Sequence, residues 1–195
     1  FGAHSDISQI IADRIWTYVQ VGDADRARQC GRDTLQMAER FGSDRNIIYG
    51  WLVSGLASML ALRWHEGNEF FTRGRQRIES SGTGVEWGLQ MDGPHAVCLA
   101  GIGHRQEALA MASRGVESAR AANLPAAVGL MGVYRARVRR MLGETEPRHE
   151  LDMQVSETLA PLEKMEWHGV IPNLLLERAG IAKLRGDTDG MKRDL

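Results

Sequence analysis

The side chains of this sequence that could support chemistry are few and dispersed. Its six histidines lack the HExxH spacing that would place two imidazoles on one face of a helix. Cys30 and Cys98 are far apart and without metal-ligand spacing, which indicates small buried apolar residues in a reducing compartment. No serine or cysteine lies in a glycine elbow, and there is no GxxxxGK[ST] phosphate loop. We therefore expect a chain that is not an enzyme and has no catalytic residue, metal site or cofactor.

One segment concentrates positive charge. It contains Arg135, Arg137, Arg139 and Arg140; on a helix, Arg137 and Arg140 share one face while Arg135 and Arg139 share another. The formal net charge of the chain is -1, and no matching basic surface extends the cluster, so the sequence does not favour a nucleic-acid partner. A solvated helix face or a peptide-binding groove is the expected role of these arginines.

A second set of arginines follows a longer spacing. Arg14, Arg135 and Arg178 each stand eight residues before a turn glycine. One interpretation is a structural arginine ladder, in which each guanidinium pairs with a carboxylate or with helix-end carbonyls of a neighbouring hairpin. The other is an interior basic ladder for an anionic ligand.

Helical hairpins are the elements that must position these residues. Five times, an apolar stripe of helical period runs into a short turn and then into a second helix. The turn positions taken as equivalent are spaced by 43, 38, 40 and 43 residues: Gly22, His65, Gly103, Gly143 and Gly186. No window alternates with the period of a strand. The sequence therefore predicts an all-α, tetratricopeptide-like α-α superhelix of stacked antiparallel helix pairs, with a period of about 40 residues.

We expect one repeat domain over residues 1–195, as a fragment of a longer protein. The second turn is expected at Trp64–Asn68, and breaks in helices are expected at Asp92–Pro94 and at Pro161. No apolar run reaches the length of a membrane span and no signal peptide opens the chain, which favours a cytoplasmic location without membrane contact.

Several short motifs resemble a known family. They are Phe41-Gly42, Tyr49-Gly50-Trp51, Glu66-Gly67-Asn68, Arg73-Gly74, Leu99-Ala100-Gly101, Glu107-Ala108-Leu109 and Leu175-Leu176-Glu177-Arg178-Ala179-Gly180. With these motifs the chain resembles the C-terminal tetratricopeptide-like repeat region of bacterial multidomain class III adenylate/guanylate cyclases and related signal-transduction ATPase regulators. The resemblance implies a regulatory, non-catalytic protein-interaction domain of a signalling protein. The alternative is a small-ligand (inducer) sensor domain of a transcriptional regulator.

The resemblance also implies which helix positions line a concave groove, and these positions carry cations without a carboxylate. We expect a protein or an acidic peptide segment there, or another domain of the parent chain, and self-association through the repeat ends. The groove residues selected by this spacing are Gln9, Trp16, Gln20, Met59, Arg63, Gln90, Val97, Arg137, Arg140, Asn173 and Lys183.

Overall fold

In the part of the chain that the structure describes, every regular element is a helix, which confirms the all-α prediction. The structure is a computed structural model, and it describes residues 14–15, 17–18, 21–41, 43–144, 157–160 and 171–194. The chain divides into two compact units, Phe1–Ile102 and Gly103–Leu195. Each unit is built from helices that pack against their neighbours in the sequence.

Among the described residues, the first unit has four helices with defined bounds, α1 (Ala24–Phe41), α2 (Asp44–Leu60), α3 (Trp64–Ser81) and α4 (Val85–Gly101), and residues 14–15 and 17–18 are helical as well. Helix α2 begins after Ser43, whose hydroxyl accepts a hydrogen bond from the N–H of Asn46 at 3.4 Å. It packs against α1, α3 and α4, and the residues that fill this core include Ile48, Leu52 and Leu56. Because α2 has neighbours on several sides, almost every residue from Ile48 to Met59 is buried.

The second unit also contains four helices: α5 (Arg105–Ala121), α6 (Pro125–Met141), α7 (Ile171–Leu184) and α8 (Thr188–Asp194). Helix α6 packs against α5 and α7, and α7 packs against α8. Residues 157–160 are helical as well. The core between α6 and α7 is formed by Val133, Ala136, Leu174 and Ile181, with Leu159 packed against it.

A residue with positive φ stands at each turn where a first helix passes into a second helix. Four of these residues are glycines, and the fifth is Leu62, with a φ of 58°. The N–H of Arg63 donates to the carbonyl of Ser58 at 2.9 Å and the N–H of Leu62 to that of Met59 at 3.1 Å. Gly143 and its successor make the same two bonds, which define a Schellman C-cap.

The expected turn at Trp64–Asn68 is therefore wrong, because the turn residue is Leu62. The chain turns at residues 61–63, and α3 begins at Trp64, so His65 is a helix residue. With Leu62 in the place of His65, the spacings become 40, 41, 40 and 43 residues. The repeat is more regular than the sequence suggested because its turn is defined by backbone conformation and not by residue type.

The expected break at Asp92–Pro94 is wrong, because α4 continues through Pro94. A proline in a helix clashes with the Cβ of the residue before it, and that residue here is Gly93, which has no Cβ. Pro94 itself is buried, as is every residue from Met91 to Ala100. The break expected at Pro161 lies outside the described residues.

Replacing Leu62 with glycine should stabilise the fold. A non-glycine residue in the left-handed region costs about 1–2 kcal/mol, and the side chain of Leu62 contributes little burial because the residue is 67% exposed. Part of this gain is offset by the greater freedom of glycine in the unfolded chain. We expect Leu62→Gly to raise the free energy of unfolding by about 1 kcal/mol in urea denaturation.

The matched control is Gly103→Ala at the equivalent turn. Gly103 has a φ of 86°, and a Cβ placed there meets nothing within 4 Å, so conformation alone determines the effect. We expect a loss of about 1 kcal/mol. If Leu62→Gly lost stability, or if neither variant changed stability, positive φ at the turn would not be the cause.

Candidate functional site

The four clustered arginines lie on α6 and face two different sides, as their spacing predicts. Arg137 and Arg140 reach toward α7, where both contact Glu177. Arg135 lies on the other side of the helix, near Arg120 and Glu157. We call Arg137 and Arg140 the arginine pair.

The arginine pair shares one carboxylate. Nε of Arg137 donates to Oε1 of Glu177 at 2.7 Å, and Nε of Arg140 donates to Oε2 at 2.6 Å. Glu177 is only 4% exposed, whereas the side chains of Arg137 and Arg140 are 31% and 38% exposed. Charge-assisted bonds to both oxygens offset the desolvation of the carboxylate. Two guanidinium groups against one carboxylate leave a positive charge at the partly exposed end of this cluster.

Gly180 gives Arg140 the space to reach Glu177. Gly180 and Glu177 are three positions apart on α7, so they lie on the same face of that helix. A Cβ at Gly180 would overlap Cδ of Arg140. Helix α7 therefore provides both the carboxylate of Glu177, which accepts the hydrogen bond, and the space at Gly180 through which the side chain of Arg140 reaches it.

Three of the expected groove residues of the first unit have other surroundings than a groove. Met59 and Val97 are 5% and 1% exposed, so they are core residues and not groove residues. Arg63 lies in the turn before α3, where it pairs with Glu66 at 3.0 Å. The expected place of Arg63 in the groove depends on His65 being the turn position. When the same spacing is counted from Leu62, it no longer selects Arg63.

The remaining members of the expected groove set are placed as follows. Gln90 on α4 is partly buried, and Lys183 on α7 is exposed. Gln9, Trp16 and Gln20, and the side chain of Asn173, lie outside the described part of the chain. The expectation of a groove without carboxylates is also wrong at the arginine pair, because Glu177 lies between its two members. The sequence analysis did not identify Glu177, and the signal that could have found it is that Glu177 is the one acidic residue of α7.

The expected arginine ladder divides into three different environments. Nε of Arg178 donates to Oδ2 of Asp194 at 2.6 Å, and its Nη2 contacts the second carboxylate oxygen. Arg178 thus pairs with a carboxylate, but this carboxylate belongs to the second helix of the same hairpin and not to a neighbouring hairpin as the structural interpretation expects. Burial lowers the pKa of Arg135, and the nearby charges of Arg139 and Arg120 lower it further. Arg14, by contrast, is exposed.

Polar side chains that the sequence did not identify as a group connect α3 with α4. Asp92 and His95, each 5% exposed, lie one turn apart on α4. Arg75 on α3 forms an ion pair with Asp92. Nε2 of His95 lies 2.8 Å from Oδ1 of Asn68, and its ring centroid is 5.6 Å from that of Phe71. These contacts join buried polar side chains across the interface between α3 and α4.

Neither cysteine has the environment of a reactive thiol. Both are buried, and neither is part of a disulfide. Burial raises the pKa of Cys98 to about 12, and burial also raises the pKa of Cys30 despite the nearby charge of Arg14. Among the described residues, no group of three His, Cys, Asp or Glu side chains is arranged to hold a metal ion. Over the same residues, no helix is both long and apolar enough to cross a bilayer.

Comparisons of the chain with protein-family models, with curated proteins and with solved structures find no match. The candidate site is therefore defined by its own geometry. It consists of a partly exposed arginine pair anchored on a buried glutamate between two neighbouring helices.

Substitution of Gly180 should test the anchoring of Arg140. Alanine gains about 1 kcal/mol over glycine inside a helix, but here its Cβ displaces Arg140 from Glu177. A hydrogen bond to a charged group contributes about 1.5–3 kcal/mol. We expect Gly180→Ala to lower the free energy of unfolding by about 1 kcal/mol, as measured by urea denaturation.

Gly88→Ala provides the control inside α4. The nearest atom to a Cβ at Gly88 is Cδ1 of Ile78, at 3.7 Å, which is an ordinary contact. Only the helix preference of alanine should then act, and we expect a gain of about 1 kcal/mol. Changes of the same sign in the two variants would show that Arg140 does not depend on Gly180.

The raised pKa of Cys98 predicts a thiol that is protected in the folded chain. In a Cys30→Ser variant, we expect Ellman's reagent at about pH 8 to label the native protein slowly and the urea-unfolded protein quickly, because the thiolate is the reacting species. The same shift means that the unfolded thiol ionises above its usual pKa of 9.0 while the native thiol stays protonated up to about 12. The buried, protonated thiol of Cys98 therefore contributes fully to the free energy of unfolding below pH 9, and this contribution is lost as the pH rises toward 12. Fast labelling of the native variant would contradict the assignment.

Proposed function

We propose that this chain is a regulatory protein-interaction domain of a bacterial multidomain signalling protein and that its arginine pair binds an acidic segment. The segment belongs to a partner protein or to another domain of the parent chain. The observation that carries the proposal is the imbalance at Glu177, where two partly exposed guanidinium groups share a single buried carboxylate. The resemblance to cyclase-associated repeats supplies the signalling context.

The local electrostatics favour an anion at this place. Glu177 fixes both guanidinium groups through Nε and so reduces the side-chain entropy that an acidic partner would otherwise have to overcome. Guanidinium groups match the geometry of carboxylates, which gives an acidic segment directional bonds in addition to charge attraction. Recognition of acidic motifs by arginine clusters is a recurring mode of peptide binding.

The alternative, a small-ligand sensor, would be favoured by an enclosed polar cavity around the arginines. The arginine pair instead lies at a partly exposed helix interface. A segment of another protein can reach such a surface without entering the fold. This difference is why we prefer the interaction domain.

The test uses a fluorescent glutamate-rich peptide and a glutamine-rich peptide of equal length, with binding measured by fluorescence anisotropy. We expect the chain to bind only the glutamate-rich peptide, and binding to weaken as salt is added. Arg137→Gln removes the excess charge yet leaves Arg140 paired with Glu177, so affinity should fall about tenfold while the melting temperature changes little. Arg137→Lys keeps the charge without the planar fork and should give an intermediate affinity.

Two choices keep this test specific. Arg73→Gln removes a charge from an exposed arginine in the first unit and should not change the affinity. Changing both members of the arginine pair to glutamate is avoided, because two further carboxylates beside the buried Glu177 would unfold this interface. Equal binding of the two peptides, or equal affinity of Arg137→Gln and the unmodified chain, would overturn the proposal.

A further inference from the structure

A row of exposed positions on α7 lies beside the arginine pair. Leu176, Gly180 and Leu184 are spaced four residues apart, so they form one ridge along this helix. We call these three positions the leucine row. Leu176 is 55% exposed and Leu184 is 52% exposed. The two leucines therefore present apolar surface to solvent on both sides of a glycine.

The side chain of Arg140 fills the gap at the glycine of this row. The three nearest atoms to a Cβ at Gly180 would be Cδ, Nε and Cγ of Arg140. The stem of this arginine thus crosses the leucine row, with a leucine about 6 Å along the helix axis on either side. Arg137 joins the same surface, because it shares Glu177 with Arg140. Apolar surface and positive charge are therefore continuous here.

The arginine pair keeps hydrogen-bond donors on this surface. In the described part of the chain, only the Nε atoms of Arg137 and Arg140 donate hydrogen bonds, and both donate to Glu177. Neither of these two residues has a buried nitrogen without a hydrogen-bond partner. Their Nη groups therefore face solvent, and each guanidinium can still donate to a carboxylate through them.

The other charges of α7 agree with an anionic occupant. Lys183 is exposed on this helix, and the one acidic residue of α7 is the buried Glu177. A second copy of the chain, placed face to face on this surface, would bring two arginine pairs together, and like charges would repel. The surface is therefore better matched to a different segment that carries negative charge.

We propose that the arginine pair and the leucine row together bind an amphipathic helix with an acidic side chain between two apolar side chains. This inference rests on the proposed function, because the acidic side chain is the group that bonds to the arginine pair. It adds the apolar neighbours and the conformation of the bound segment. The backbone of α7 is bonded within its own helix, so an extended segment would find no backbone partners there, whereas a helix satisfies its own backbone. Binding of an amphipathic helix through anchors at helical spacing is a recurring mode of recognition.

The spacing on α7 predicts the spacing on the bound helix. Leu176 and Leu184 are two steps of four residues apart, which is about 12 Å along a helix axis. Arg140 crosses the row midway between them. A helix that lies along α7 matches these positions with apolar residues at i and i+8 and an acidic residue at i+4.

The test compares peptides of equal length and equal helix content, with binding to the full chain measured by fluorescence anisotropy. The first peptide carries leucine, glutamate and leucine at i, i+4 and i+8. The second replaces both leucines with alanine, and the third keeps the leucines and replaces the glutamate with glutamine. We expect the first peptide to bind about tenfold more tightly than the second, because only its leucines bury apolar surface against the leucine row. We expect it to bind about tenfold more tightly than the third, which lacks the carboxylate.

Failure of this inference can be distinguished from failure of the proposed function. Equal affinity of the first two peptides would overturn the role of the leucine row alone. Equal affinity of the first and third peptides would show apolar adsorption and would also overturn the inference. The proposed function fails separately if Arg137→Gln binds the second peptide as tightly as the unmodified chain does.

Substitutions in the leucine row locate the bound peptide. A variant with Leu176→Gln and Leu184→Gln should bind the first two peptides with equal affinity. Its melting temperature should change little, because both leucines are more than half exposed and glutamine favours a helix. Leu124→Gln is the matched control, since it removes a leucine that is 47% exposed at the opposite end of α6, and it should leave the tenfold difference in place. A difference that persists in the double variant, or that disappears in Leu124→Gln, would reject the surface.

Two further measurements test other occupants of this surface. A peptide with leucine, glutamate and leucine at i, i+2 and i+4 has the spacing of an extended segment. We expect it to bind about tenfold more weakly than the first peptide, and equal affinity would show that the bound segment is not a helix. Light scattering should give the same mass for the unmodified chain and for the double variant. Dimers that form only with the leucines present would mean that a second copy covers the row, and the proposal would be wrong.

Discussion

The helical hairpins depend on one backbone constraint at their turns. A residue there must adopt positive φ, so that the N–H groups after the helix can bond to its last carbonyls and the chain can reverse into the next helix. Gly143 and Leu62 satisfy this constraint with the same pair of hydrogen bonds, although only one of them is a glycine. Because the chain reverses at each turn, the second helix of a hairpin can pack against the first. Helix α2 packs against α1, α3 and α4.

The polar contacts between helices affect which packing the helices adopt more than the stability of the fold. The fold is stabilised chiefly by apolar burial, but Arg75 with Asp92, Arg178 with Asp194 and the arginine pair with Glu177 each join two neighbouring helices through charge. Buried pairs of this kind add little net stability, since desolvation offsets most of their attraction, but they penalise any alternative packing. At Glu177 the pairing is unequal. The excess charge that results is what makes this interface a candidate for binding.

The helical class, the approximate period and the two faces of α6 could be predicted from the sequence, because each follows from local spacing. The turn at Leu62 could not be predicted, because leucine is not a residue type that indicates positive φ. As a result, the sequence analysis places Arg63 on a helix, whereas it lies in the turn. Helix α4 continues through Pro94, and the absence of a Cβ at Gly93 removes one of the clashes that a proline otherwise makes in a helix. The pairing of Glu177 with Arg137 and Arg140 joins residues about 40 positions apart. Local patterns carry no information about such a contact.

The shared carboxylate has a consequence for how this sequence can change over evolutionary time. Loss of Glu177 alone leaves two half-buried guanidinium groups repelling each other, and loss of both arginines leaves a buried anion, so either partial replacement of the group is selected against. Replacement of all three by apolar residues of similar volume removes the penalty. Gly180 is then released from its role, because no long side chain needs to pass it. These four positions form an epistatic group that should change together among descendants of this chain, while their neighbours on α6 and α7 drift independently.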